Sequence, residues 1–353
     1  MTKIALITDT HFGARNDSQV FSDSMKTFYE DIFFPCLKEN NIKECIHLGD
    51  VFDRRKYINY KSLYDSRQFF FDPLAKNNIN VLMIAGNHDV FYKTTNEVNS
   101  VSLLLNEYSN IKTFDSPIEI TKFNSGSFLL LPWICKENYD ESMEAIKTTT
   151  SSIMFGHLEI DGFEAHPGYI HDGGFNKNIF NKFDMAFSGH FHHKSDNGTI
   201  YYLGNPYELT WQDYKDQRGF HIFDTETREL EFIENPNRMY YKYLYDDTKL
   251  KIEDLDKIDF NQYKNKYIKV VVQEKINPYL FDMVMDKIYK AGTFDITVVE
   301  NFIDVAGDEE IIDEAQDTVT ILSNYIEQLN TNVDKKNLDS LIKTLYNEAL
   351  TLE

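Results

Sequence analysis

The chain of 353 residues has three cysteines, no long apolar run and fewer basic than acidic residues. Cys36, Cys45 and Cys135 form no Cys-x-x-Cys motif, so the sequence indicates neither a disulfide framework nor a zinc–thiolate site. The longest apolar run, residues 128–134, is too short to span a bilayer, and the first residues lack a signal-peptide pattern. We therefore expect a soluble cytoplasmic protein that does not associate with membranes.

The sequence also lacks two common catalytic patterns and a net positive charge. No Ser, Thr or Cys lies in a nucleophile-elbow motif, and no glycine-rich loop with a lysine marks a P-loop. These absences favour water as the nucleophile of any hydrolytic reaction. With a net charge of −21, the protein as a whole does not attract a polyphosphate, so a nucleic-acid substrate requires bound cations and a local basic patch.

What the sequence does contain is a regular alternation of strands and helices. Short apolar strands are expected at Lys3–Thr8, Glu44–Leu48 and Asn80–Ile84, with amphipathic helices near residues 18–37 and 60–74 between them. Further strands are expected at residues 118–121, 127–131, 152–155, 184–187, 200–203, 220–223 and 230–233, with a helix around 141–147. This order predicts an α/β fold with two sheets stacked between helices.

The pattern changes after residue 236. A strand at 267–273, a helix at 278–289 and a strand at 294–300 predict a small β-α-β domain. An acidic linker then leads to two amphipathic helices between residues 319 and 350. We therefore predict domains at residues 1–236, 237–306 and 307–353.

Ligand-type side chains follow five of the predicted strands. They are Asp9, His11, Asp50, Asn87, His88, His157, His190 and His192. Each motif alone is also typical of a turn or of a structural histidine. Their joint occurrence at strand ends favours a single site at one edge of the sheets.

Carboxylate, amide and imidazole donors without a thiolate suit manganese, iron or zinc better than calcium. The number of donors exceeds the requirement of one ion, so the sequence favours two ions that share a carboxylate. We expect structural or solvent-exposed roles for His47, His166, His171 and His221, whereas His193 is a candidate for supporting the ligands.

The five motifs together resemble the signatures of calcineurin-like metallophosphoesterases. The motifs are Asp9-x-His11, Gly49-Asp50-x-x-Asp53, Gly86-Asn87-His88-Asp89, Gly156-His157 and Gly189-His190-x-His192. The resemblance implies a four-layer α/β/β/α core. It also implies one ion held by Asp9, His11, Asp50 and His192, a second held by Asp50, Asn87, His157 and His190, and His88 facing the scissile phosphate without binding metal.

Two branches of the superfamily remain as alternatives. The segment Gly49–Arg54 also resembles the protein Ser/Thr phosphatases, although Arg55 replaces their glycine and Asp89 their glutamate. The His190-x-His192 pair is instead similar to the nuclease and phosphodiesterase branches. Three further segments, at residues 131–133, 202–206 and 218–220, resemble the SbcD-type recombination nucleases, and most closely the branch found in T-even phages.

The nuclease resemblance carries several further expectations. It implies a DNA substrate, 3′–5′ exonuclease and single-strand endonuclease activity, and two divalent ions, with Mn²⁺ favoured over Mg²⁺. It implies a homodimer in a two-plus-two complex with an SbcC-type, SMC-like ABC ATPase that is bound by the C-terminal helical pair. The role implied is in recombination, repair and replication. The alternatives are helices that pack on their own domain, a protein phosphatase, and a non-catalytic scaffold of an ATPase complex.

Four basic residues near the motifs are candidate DNA phosphate contacts: Arg15, Arg54, Arg55 and Lys93. Archaeal and eukaryotic members of this nuclease family carry histidine where this chain has Asp53. A role of that histidine in duplex handling therefore does not transfer to this protein.

Overall fold

The computed structural model describes residues 3–123, 126–300, 326, 335 and 338. Residues 1–298 form one compact unit and residues 299–353 a second. The two predicted C-terminal helices lie outside the described residues, apart from those three positions. The predicted domain boundaries, including the one at residue 236, stay predictions.

The strands are β1 (Lys3–Ile7), β2 (Glu44–His47), β3 (Asn80–Ile84), β4 (Ile111–Phe114), β5 (Ile118–Phe123), β6 (Gly126–Leu131), β7 (Ile153–His157), β8 (Glu164–His166), β9 (Tyr169–Ile170), β10 (Met185–Gly189), β11 (Ser195–Asp196), β12 (Ile200–Tyr202), β13 (Gly219–Asp224), β14 (Leu230–Glu234), β15 (Tyr240–Asp246), β16 (Tyr267–Glu274) and β17 (Asp295–Val299). The α-helices are α1 (Gln19–Phe28), α2 (Phe34–Glu39), α3 (Tyr60–Ser66), α4 (Asp72–Lys76), α5 (Ser100–Leu105), α6 (Tyr139–Thr148) and α7 (Pro278–Lys290). Single 3₁₀ segments lie at Lys177–Phe180, Trp211–Asp213, Ile252–Lys257 and Phe260–Tyr263. No helix within the described part of the chain is long and apolar enough to cross a membrane.

The described residues form two six-stranded sheets. The first has the order β14-β13-β1-β2-β3-β4, in which β1 to β4 run parallel. The second has the order β11-β12-β10-β7-β6-β5, in which β12, β10, β7 and β6 run parallel. The predicted α/β fold is confirmed, and the parallel strands bring their carboxyl ends to one edge of each sheet.

Side chains alternate between the two faces of these strands, so each sheet contributes to two cores. Leu6 of β1 packs in one cluster with Phe155 of β7 and Phe187 of β10, which places this core between the two sheets. Ala5 and Ile7, the neighbours of Leu6, pack in a second cluster that includes residues of α1. A third cluster joins the other face of the second sheet to α6.

Two predicted helices contain a wider turn that the sequence pattern did not indicate. The π-helical turns Tyr29–Phe33 and Arg67–Phe71 connect α1 to α2 and α3 to α4. Pro35 and Pro73 lie at the start of the following helices. In each case the amide of the residue before the proline donates to the carbonyl five residues earlier in the chain. Because proline has no N–H for the regular ladder, the helix accommodates it by a local change of hydrogen bonding.

The region after residue 236 has one more strand than predicted. β15 pairs in parallel with β16, and the three-stranded sheet has the order β15-β16-β17. β15 was not predicted because its tyrosines show no clear alternation with polar residues; Tyr240 and Tyr245 are buried, and Tyr241 and Tyr243 are partly exposed. The elements β4 and α5 were also missing from the prediction, because both are short.

Candidate metal centre

The loops after β1 and β2 are joined through their backbones. The amide of Asp9 donates to the Gly49 carbonyl at 3.0 Å, and the amide of His11 donates to the Asp50 carbonyl at 3.1 Å. Asp9, His11 and Asp50 have φ angles of 52°, 42° and 52°. This left-handed conformation is uncommon for residues other than glycine, and the surrounding hydrogen bonds hold it in place.

The donor atoms of Asp9, His11 and His192 lie within 4.8 Å of one another, and we call this group half-site 1. Nε2 of His11 lies 3.1 Å from Nε2 of His192 and 3.9 Å from Oδ1 of Asp9. The two nitrogens and the carboxylate oxygen are close enough together to coordinate one cation.

The donor atoms of Asp50, His157 and His190 form a second such group, half-site 2. Oδ1 of Asn87 joins it, at 2.9 Å from Nε2 of His157 and 2.9 Å from Nδ1 of His190. Nδ1 of His157 lies 2.7 Å from the Leu48 carbonyl oxygen, which leaves Nε2 directed into the half-site.

Asp50 lies between the two half-sites. Its Oδ2 is 3.3 Å from Nε2 of His157 and 3.8 Å from Nε2 of His11, while its Oδ1 accepts the amide of His88 at 2.7 Å. The structure therefore brings all seven predicted ligand residues together around one shared carboxylate. The oxygen and imidazole donors fit two divalent ions without a thiolate.

Both half-sites contain one histidine that favours a proton and one that does not. Burial disfavours the charged form of His157, but the Asp50 charge outweighs it and raises the pKa of His157 to about 9. In the same way burial is outweighed by the contact with Asp53 and the Asp50 charge, which raise the pKa of His11 to about 9. Burial and the charge on His157 lower the pKa of His190 to about 3, and burial and His11 hold the pKa of His192 well below its usual range.

His88 is outside both half-sites but in contact with them. Its ring lies edge-on to His11 with 4.9 Å between ring centroids. Its Nδ1 lies 2.6 Å from the Asp53 carbonyl oxygen, so Nε2 is the ring nitrogen left for a substrate. The ring position is compatible with the predicted role of His88 at the scissile phosphate, which stays a prediction.

Sequence reasoning missed the residues that support these donors. The carboxylate of Asp89 is buried and accepts the amides of Gly86 at 2.9 Å and Val51 at 3.0 Å, which fixes the two motif loops against each other. Burial and the nearby Asp50 raise the pKa of Asp89 to about 7. Its position directly after His88 in the motif was the available signal.

Trp133 was also missed as a neighbour of the site. Its ring lies 5.3 Å from the ring of His190 and 6.1 Å from that of His157, between centroids. The indole therefore forms an apolar wall beside half-site 2. Its signal was the segment Leu131-Pro132-Trp133, which sequence analysis used only as a family feature.

The four basic residues predicted to contact DNA have different surroundings. Arg54 donates to Asp17 at 3.0 Å and Asn16 at 2.7 Å, whereas Arg15 and Lys93 are exposed. Nη1 of Arg55 is buried without a hydrogen-bond partner among the described residues. Burial lowers the pKa of Arg55, and the charge on Asp50, the carboxylate shared by the two half-sites, opposes that shift.

The remaining histidines lie outside the two half-sites. His47 contacts Thr10 and Gly49, His171 pairs with Glu159, and His166 stacks on Tyr169. His193 lies 2.8 Å from Asp216 and 3.3 Å from Glu164. His221 is buried in β13. These contacts agree with structural roles.

Known proteins resemble this chain along nearly its whole length. The sequence profile of the calcineurin-like phosphoesterase family matches residues 2–194. Exonuclease subunit 1 of enterobacteria phage T4 is 31% identical over 354 residues, which cover 98% of this chain and 99% of the phage protein. The DNA double-strand break repair protein Mre11 of Methanocaldococcus jannaschii is 27% identical over 367 residues, which cover 97% and 94% of the two chains. A solved structure of a novel archaeal phosphodiesterase aligns with a TM-score of 0.34 and 15% identity, over 66% of this chain and 99% of that one.

Proposed function

This chain belongs to the calcineurin-like phosphoesterase family, and we propose that it is the nuclease subunit of an SbcD-type complex that hydrolyses DNA phosphodiester bonds with two divalent ions. The observation that carries the proposal is the pair of half-sites sharing Asp50. The full-length similarity to a phage protein named as an exonuclease subunit supports DNA as the substrate. The proposed activities are 3′–5′ exonuclease and single-strand endonuclease.

The proposed ligands divide between the ions as the half-sites do. Asp9, His11 and His192 would hold one ion, and His157, His190 and Asn87 the other, with Asp50 shared. When bound, two such ions lower the pKa of a water nucleophile and neutralise charge on the phosphate. Mn²⁺ suits a mixed oxygen and imidazole set, and Mg²⁺ is the second candidate.

His88 is the proposed catalytic residue. Its backbone amide binds Asp50 and its Nδ1 faces the Asp53 carbonyl, so the ring is oriented from both ends. Held in this way, Nε2 can donate a proton to the leaving oxygen or stabilise charge on the phosphate. Trp133 places an apolar ring beside His190 of half-site 2.

The proposal extends to partners and context. The relatives are named as an exonuclease subunit and as a double-strand break repair protein, which supports a role in DNA recombination, repair and replication. We propose that the C-terminal helices bind an SbcC-type ATPase and that the chain forms a homodimer in a two-plus-two complex in the cytoplasm, the host cytoplasm if a phage encodes it. Arg15, Arg54, Arg55 and Lys93 are the proposed phosphate contacts, and the partner would supply further DNA affinity to an acidic protein.

One assay separates the proposal from its alternatives. The purified protein with Mn²⁺ is given labelled single-stranded DNA, duplex ends and a phosphopeptide, in parallel with Asp50→Ala and with Asp140→Ala as an exposed acidic control on α6. We expect DNA cleavage by the wild type and by Asp140→Ala only. Turnover of the phosphopeptide without DNA cleavage would identify a protein phosphatase, and turnover of neither substrate would identify a scaffold.

The partner interaction has its own test. Deleting the residues after Asp313 should abolish capture of the ATPase in a pull-down and leave cleavage of short single strands intact. Loss of both properties together would count against a separate docking segment.

A further inference from the structure

We propose that Arg218 is a positioning residue that holds His192 in place for metal binding by donating a hydrogen bond to its peptide carbonyl. This inference rests on the proposed function, since it takes His192 to be a ligand of one of two ions. It adds a residue outside the motif set, 26 positions away from His192.

Arg218 is buried and donates hydrogen bonds to four different residues. Its side chain is 1% exposed. Nη1 donates to the His192 carbonyl and to Oδ1 of Asn205, and Nη2 donates to Asp213 and Asp216 at 2.8 Å each. The two carboxylates compensate the buried positive charge. These ion pairs hold the guanidinium in the position from which it contacts the loop of His192.

His192 needs an external support because no strand holds it. β10 ends at Gly189, and the next residue, His190, has a left-handed φ of 88°. The His192 carbonyl also accepts the amide of Asn205 at 3.2 Å. A Cβ on Gly204 would come within 2.9 Å of the same carbonyl oxygen, so the backbone after β12 closes tightly on His192.

The ring of His192 has no second anchor of its own. His157 is oriented by the bond between its Nδ1 and the Leu48 carbonyl. Among the described residues, no such bond forms at Nδ1 of His192. Its ring direction therefore depends on the position of its backbone, which Arg218 and Asn205 set.

Four acceptors around one group explain why this position is arginine. A guanidinium presents five N–H donors in a rigid plane, whereas a lysine ammonium has three donors and no fork. Arg218→Lys keeps the charge beside Asp213 and Asp216 but cannot reach all four acceptors. That substitution separates the positioning geometry from simple charge compensation.

The test is a calorimetric titration of Mn²⁺ into the metal-free protein, for the wild type, Arg218→Lys, His192→Ala and the double variant. Loss of a residue that orients a ligand typically weakens metal binding by about 10–100-fold. We expect Arg218→Lys to weaken one ion by that factor and leave the other unchanged. In the His192→Ala background, which should already lack that ion, Arg218→Lys should leave the affinity of the remaining ion unchanged, because its effect passes through His192.

The matched control is Arg67→Lys, since Arg67 also joins a carboxylate, that of Glu107, to a backbone carbonyl, that of Leu104. It should leave both ions unchanged. If Arg218→Lys fails to fold, shown by thermal unfolding of the metal-free protein, Asp216→Asn replaces it and should weaken the same single ion to a smaller extent.

Equal weakening of both ions, no weakening, or a weakening of the remaining ion in the His192→Ala background would each overturn the positioning role. A wild-type protein that binds fewer than two ions would instead contradict the proposed function. The two failures are therefore distinguishable in one set of titrations.

Discussion

Half-site 1 and half-site 2 each contain one carboxylate and two imidazoles, with the amide of Asn87 added in half-site 2, but they are held by different means. In half-site 2, His157 is the last residue of β7 and its ring is fixed by the Leu48 carbonyl. In half-site 1, no ligand lies on a strand: Asp9 and His11 follow the end of β1, and His192 lies in a loop that Arg218 contacts. Left-handed φ angles occur in both half-sites, at Asp9 and His11 and at Asp50 and His190. Substitutions remote from the ligands should therefore disturb half-site 1 more than half-site 2.

The histidines of the two half-sites have similar electrostatics, whereas the carboxylates differ. Each half-site pairs a histidine whose pKa is raised to about 9, His11 or His157, with one whose pKa is lowered, His192 or His190. The shared carboxylate of Asp50 contributes to the raised value in both. Burial raises the pKa of Asp9, whereas at Asp50 burial is outweighed by the charges on His157 and His88, which hold its pKa well below the usual range. The two half-sites thus differ in scaffold and in the charge state that their carboxylates favour.

The largest expected effect follows from removing the group that the half-sites share. Asp50→Ala should abolish binding of both ions, because Oδ2 of Asp50 is directed at both half-sites. Nuclease activity should fall by about 10³-fold or more, since bound ions contribute several kcal/mol to the transition state. Metal content by mass spectrometry of the native protein checks this, and retention of one ion would mean that Asp50 serves a single half-site.

A smaller effect, the loss of one ion, separates the half-sites directly. His190→Ala should preferentially remove the ion of half-site 2, and His192→Ala the ion of half-site 1. Each variant should retain about one ion per chain in the same measurement, because each imidazole lies in one cluster only. Equal loss of both ions in both variants would contradict the division between them.

A loss of rate without loss of metal is expected for the residue beside both half-sites. His88→Ala should bind two ions with wild-type affinity, because the variant keeps the backbone amide that donates to Asp50. Its cleavage rate should fall by about 10²–10⁴-fold, the usual contribution of a positioned proton donor. The measurement is single-turnover cleavage of DNA at saturating Mn²⁺, and a metal-free variant would show that His88 is a ligand instead.

The sequence was enough to predict that the ligand residues meet at one site, but not which residues hold them there. Asp9, Asp50, Asn87 and His157 follow apolar runs, and parallel strands bring such positions to one edge. Their joint occurrence at the ends of predicted strands was enough to identify them as candidate ligands.

The supports depend on contacts between distant segments, which no local pattern reports. Asp89 contacts the amide of Val51, 38 residues away, and Arg218 contacts the carbonyl of His192, 26 residues away. A buried arginine or carboxylate looks like an ordinary surface charge in sequence, because burial is set by packing. The short elements β4 and α5 and the partly exposed β15 were missed for a related reason, since their stability comes from neighbouring strands and not from their own pattern.

The smallest expected effect concerns His221, a buried histidine of β13. His221 is 3% exposed in β13, and burial followed by the charge of Lys194 lowers its pKa from 6.5 to about 3. The unfolded chain therefore binds more protons at this site between pH 6.5 and 3, and stability falls as the pH falls through that range. Replacement by leucine removes this dependence. At pH 5 the wild type should lose about 2 kcal/mol relative to pH 8 that His221→Leu does not lose. Thermal or urea unfolding of the metal-free proteins at both pH values gives the difference.

Phe220→Leu on the same strand is the control, because it alters packing without a titrating group and should change stability equally at both pH values. If His221→Leu keeps the pH dependence of the wild type, His221 is not its source, and burial does not lower the pKa of this histidine as expected.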